Sequence, residues 1–123
     1  MRIEVNDFTD NDLTGTTGFR TLLVGIQQAD VVIVQKIFFG PLIAAEFQAL
    51  CASKLAETSP DIIVAPLWAH GFDIIDVAAV LKSLRYRGLL CALTDRLPNS
   101  AAVLTELRTS CKGIDIKLLV RPE

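Results

Sequence analysis

The sequence holds few of the residues that announce a chemistry. Histidine, tryptophan and tyrosine each occur once, as His70, Trp68 and Tyr86. A histidine-based metal site needs partners at ligand spacing, and none flank His70, so no metal and no cofactor is expected. The three cysteines, Cys51, Cys91 and Cys111, include no C-x-x-C pair. Their odd number and apolar neighbours fit reduced thiols in the core of a cytoplasmic protein. No strand-turn-helix nucleophile elbow is present, so an enzyme of the Ser/His/Asp kind is not expected. A membrane span needs about 18 to 20 unbroken apolar residues. The most apolar region, VVIVQKIFFGPLIAAEFQAL, is cut by Lys36, Pro41 and Glu46. Glu4, Asp7 and Asp10 stand where a secretory leader would carry basic residues. Charge is almost balanced, with 12 Lys and Arg against 14 Asp and Glu, which leaves no overall basic field for nucleic acid.

What remains is a chain of 123 residues, 51% hydrophobic, of a size for one domain spanning 1–123. RIEVNDF (2–8) alternates as a first strand, and the polar TDNDLTGTTG (9–18) reads as a loop. FRTLLVGIQQA (19–29) places Phe19, Leu22, Leu23 and Ile26 at helical spacing, with Thr16 or Thr17 as cap. DVVIVQ (30–35) is a β-branched run of strand length. A helix over 40–57 follows, with Pro41 in its first turn.

DIIVAP (61–66) is a continuous apolar strand of the kind buried on both faces. A helix over 73–87 ends at Gly88, and LLCALT (89–94) is the next strand. NSAAVLTELRTSCKG (99–113) has a capping residue at its start and glycine at its end, and IDIKLLV (114–120) is the last strand. Strands and helices alternate, so the expected fold is α/β: a doubly wound five-stranded parallel sheet, its functional crevice at the carboxyl ends of the strands. KSLRYRG (82–88) is locally basic and reads as a solvated helix end that complements the helix dipole.

The stretch from Pro60 to Asp95 resembles a response-regulator receiver domain. PDIIVAP is similar to that family's third strand, WAHGFD to the loop after it, and LKSLRYRGLLCALTD to its third helix and fourth strand. Thr94 falls on the Thr/Ser switch position, and VRP resembles the family's Lys-Pro pair, with Arg121 for lysine. The resemblance implies a flavodoxin-like strand order, 2-1-3-4-5, with the family's last helix absent because the sequence stops at Glu123. It also implies a degenerate crevice of Asp7, Pro66, Thr94 and Arg121. Pro66 stands at the phosphoacceptor position and has no nucleophile. VNDF supplies one carboxylate where the family has an acidic pair, too few oxygen ligands for magnesium. The expected function is a non-phosphorylatable protein-interaction module in signalling or regulation, with Trp68 and His70 on its contact loop and weak anion binding at most through Arg121.

An alternative rests on TGTTG, which resembles a flavodoxin phosphate loop. Thr14, Thr16, Thr17 and Gly18 would then hold the phosphate of a flavin or nucleotide, with Trp68 stacking on the ring. Finally, three helices (40–57, 73–87, 99–112) fall to one face of the sheet and only 19–29 to the other. That count predicts an under-covered face near 89–94 and 114–120, used for self-association or a protein partner.

Overall fold

The computed structural model describes residues 4–5, 19–38 and 40–121, without the side chains of 4–5. The elements are β1 (Glu4–Val5), β2 (Thr21–Val24), α1 (Gln28–Gln35), β3 (Leu42–Ala45), a 3-10 turn (Phe47–Ala49) and α2 (Ala52–Thr58). Then come β4 (Ile62–Pro66), β5 (Trp68–Ala69), β6 (Phe72–Asp73), α3 (Ile74–Ser83), β7 (Leu89–Thr94), α4 (Ser100–Ser110) and β8 (Asp115–Val120). The main sheet runs β1-β8-β7-β4-β2-β3. Its parallel strands β2, β3, β4, β7 and β8 therefore stand in the order 2-1-3-4-5, the doubly wound, flavodoxin-like arrangement expected. β1 adds a short antiparallel edge, Glu4 opposite Val120. No helix follows β8 among the described residues.

The second half of the chain folds where its pattern places it. The first half does so only as alternation, with the element types exchanged. Thr21–Val24 is a strand and not part of a helix over 19–29, and Gln28–Gln35 is a helix and not a strand over 30–35. Both apolar sets satisfy two periods. Burial of Ile33 and Val34 shows the helical one winning in α1, because that face packs on the sheet. The 40–57 segment divides into β3, the 3-10 turn and α2. Pro41 precedes β3 and does not open a helix.

The core follows strand alternation. Leu22, Val24, Ile63, Ala65, Leu90, Ala92, Ile116 and Leu118 face α3 and α4, where Val77, Leu81, Leu104 and Leu107 meet them. Leu23, Ile62, Val64, Cys91, Leu93 and Leu119 face the other way, with Val34 and Phe38. Each fully buried side chain of this kind contributes about 1.5–3 kcal/mol. On that second side Cys91, Leu93 and Leu119 are at most 1% exposed. The expected under-covered face over 89–94 and 114–120 is thus not present, because these strand residues are buried, and Val34 and Phe38 belong to the same apolar cluster. Among the described residues, the large exposed apolar side chains are Val32, Trp68 and Ile75. Among the described residues, no helix is long and apolar enough to cross a membrane.

Candidate functional site

The chain order reverses at β2, which has β3 on one side and β4 on the other. The crevice such sheets use for ligands lies beyond the carboxyl ends of β2 and β4. Pro66 closes β4 there, in register with Leu93. Its position has a simple backbone reason. The Leu67 N–H donates to the Leu93 carbonyl, so the missing Pro66 N–H faces β2, beyond the last β2–β4 pair at Leu23 and Val64. A proline removes no ladder bond at that point.

From Leu67 the chain turns into a two-residue hairpin. Trp68 pairs with Asp73 and Ala69 with Phe72, around His70 and Gly71. Gly71 has φ +94°, the sign a type II turn requires at its second central residue. The pleat sends Phe72 and Trp68 to opposite faces. Phe72 stacks on Phe47, ring centroids 4.6 Å apart and 9° from parallel. It also lies over Gly25, at the end of β2, where an added Cβ would come within 2.5 Å of its ring. The chain's own aromatic pair therefore occupies the end of β2. Trp68 faces outward and is 68% exposed. With Leu67, Ile74, Ile75, Val103 and Leu107 it lines a groove of about 230 Å3 between α3 and α4. His70 is exposed at the hairpin tip.

Asp73 ends the hairpin and caps α3. Its carboxylate accepts the Asp76 N–H at 2.9 Å, and the Asp76 carboxylate accepts the Asp73 N–H at 2.9 Å. This reciprocal capping box leaves no spare residue between hairpin and helix.

Thr94 and Arg121 do come together, as the Arg121 N–H donates to the Thr94 carbonyl at 2.8 Å. The guanidinium is occupied. Nε and Nη2 donate to the two oxygens of Asp30, in the first turn of α1, at 3.0 and 2.8 Å, and Nη1 donates to Asp95 at 3.1 Å. The Asp30 hydrogen bonds hold the guanidinium pKa above its ordinary value, against the opposing effect of partial burial. An arginine so engaged by two carboxylates is not a free anion receptor, which corrects the expectation of anion binding at Arg121.

Asp7, Thr14, Thr16, Thr17 and Gly18 lie outside the described residues. One correction follows from the strands all the same. The first parallel strand ends at Val24, not at VNDF, so Asp7 does not close it. The acidic residue that reaches the carboxyl-end side chains is Asp30, which a strand reading of 30–35 conceals. Phe72 and Phe47 also escaped sequence reasoning. The only signal was a phenylalanine directly before the Asp73 cap.

Cys91 and Cys111 are buried, and burial raises both thiol pKa values, the reverse of an activated nucleophile. Cys51 is exposed, not in the core as expected, because it stands at the amino end of α2 beyond the sheet. Among the described residues, no group of three or more His, Cys, Asp or Glu side chains is placed to hold a metal ion. Comparison of the chain with models of known families and with curated proteins finds no match to either.

Proposed function

We propose that the chain is a receiver-like, non-phosphorylatable binding module that engages a protein partner through the Trp68 hairpin and the adjoining α3–α4 groove. The observation that carries this reading is the two-sided hairpin. Phe72 anchors one face in the crevice, and the other face presents Trp68 to solvent beside Ile75, which is 43% exposed. An exposed tryptophan on a rigid support has the character of an interface anchor, since little side-chain freedom is lost when it is covered. Pro66 supplies no phosphoacceptor, and the end of β2 is filled by Phe72. The reading therefore assigns recognition and not phosphoryl transfer to this end of the sheet. Regulation or signalling in a reducing, cytoplasmic setting fits the three free cysteines.

The test compares wild type with Trp68→Ala as immobilised bait against extract of the native source. The reading requires a partner whose recovery falls about tenfold or more with the variant, a loss of about 1.4 kcal/mol. Equal recovery on both baits, or none on either, refutes it. Light scattering distinguishes a second copy of the chain from a different protein. Beryllofluoride with magnesium should show no saturable binding, and tight binding would mean that the crevice is competent after all.

A further inference from the structure

At the opposite end of the sheet, α3 stops in a backbone conformation that its sequence does not favour. The Tyr86 N–H donates to the Leu81 carbonyl and the Arg85 N–H to the Lys82 carbonyl, the paired bonds of a Schellman ending. The residue placed in the left-handed region by that motif is ordinarily glycine. Here it is Arg85, at φ +59°. A side chain in that region is disfavoured and tends to persist where it has a use.

The arginine stands at a wide, open surface concavity of about 640 Å3. Lys82, Arg85 and Arg87 line it, with one carboxylate, Asp115. No described carboxylate pairs with any of the three cations. Two parts of its wall are held in place, while the three cationic side chains are exposed. Tyr86 donates its hydroxyl to the Leu89 carbonyl at 2.9 Å, and a Cβ on Gly88 would collide with that hydroxyl. The Lys82 stem rests over Gly113, its Cε 3.5 Å from where a Cβ would stand.

We propose that this amino-end basin binds a small molecule carrying two or more phosphate groups. Three cations against one carboxylate leave the lining with a surplus of two positive charges, which a single phosphate or carboxylate does not match as well as a diphosphate. Guanidinium forks fit phosphate oxygens in pairs, and two arginines on one short turn supply two such forks. The acidic balance of the whole chain, net −2, opposes accumulation on a long polyanion such as nucleic acid. The inference stands apart from the reading of the Trp68 hairpin, since the two sites lie at opposite ends of the strands.

The experiment is calorimetric titration of the full chain with inorganic pyrophosphate at about 0.15 M salt. Orthophosphate, citrate and a single-stranded oligonucleotide serve as comparators. Expected is saturable pyrophosphate binding, weakened about tenfold or more by Arg85→Gly and by Arg87→Gln. Arg85→Gly should at the same time keep or raise the Tm, because glycine relieves the left-handed backbone, so lost binding cannot be ascribed to unfolding. The proposal is overturned if wild type does not saturate with millimolar pyrophosphate. It is equally overturned if both variants bind as wild type does, or if citrate or the oligonucleotide binds as tightly as pyrophosphate.

Discussion

Arg121 grips Asp30 at two points, Nε to Oδ1 at 3.0 Å and Nη2 to Oδ2 at 2.8 Å, and so ties the end of β8 to the first turn of α1 across 91 positions of sequence. The side chains are 26% and 14% exposed. Asp95, the third member, is 85% exposed. Asp30→Asn should therefore cost on the order of 2 kcal/mol, because it leaves a half-buried guanidinium short of its main partner. Asp95→Asn should cost under about 0.5 kcal/mol, as exposed pairs do. Urea unfolding of the two variants checks this, and equal losses would show that the fork is not what fastens α1.

Two glycines near the crevice should respond unequally to alanine. Gly25, at φ +63°, has the Phe72 ring in the place of a Cβ, whereas Gly71, at φ +94°, has nothing within 4 Å. Gly71→Ala should lose about 1 kcal/mol from backbone strain alone. Gly25→Ala should lose about 2–3 kcal/mol, since the ring must also move. If the two losses match in urea melts, Phe72 does not seal the end of β2.

The Thr21 hydroxyl is buried without a hydrogen-bond partner among the described residues. Thr21→Val keeps its shape and removes the unmet group. It should raise stability by roughly 1 kcal/mol, seen as a higher Tm in a thermal melt. A lower Tm would reveal a partner for that oxygen.

Stability should decline in alkali. Burial raises the folded-state pKa of Cys91 and of Tyr86, so the native protein keeps protons that the unfolded chain releases. The contribution of each group is fully present below its unfolded pKa, about 8.5 for the thiol and about 10 for the phenol. It is lost as pH rises toward the folded value, by up to about 1.4 kcal/mol per pH unit per group. Chemical denaturation from pH 7 to 11 should show the fall, with Tyr86→Phe flattening only the part above about pH 10. A wild-type profile flat to pH 11 would contradict it.

The sequence was most readable where local and tertiary signals agree. β4 and β7 are apolar strands, β8 is apolar apart from Asp115 and Lys117, α3 and α4 have caps at Asp73 and Asn99, and each of the five forms within a few residues of its expected span. Thr21–Val24 is only four residues long, and Phe19, Leu22, Leu23 and Ile26 around it happen to fall at helical spacing. In α1 the inward face is Asp30, Ile33 and Val34, and Ile37 and Phe38 in the turn just after it continue that side, visible only when the β-branched run is followed past residue 35. Pro66, Thr94 and Arg121 stand at the carboxyl ends of β4, β7 and β8, as their strand patterns imply. Their meaning was not legible, because Asp30 and Phe72 reach them from elements whose position depends on the whole sheet.

The hairpin has a mechanical side. Leu67 is hydrogen-bonded to β7, and its carbonyl accepts the Ile74 N–H at 3.1 Å at the start of α3. Trp68 follows Leu67 directly, and Asp73 is at once the last hairpin residue and the helix cap. No slack separates the exposed indole from the sheet behind it or the helix beside it. A load on Trp68 is thus carried by a strand end, an aromatic stack and a helix cap together, so the hairpin behaves as a short lever with three fixed bearings.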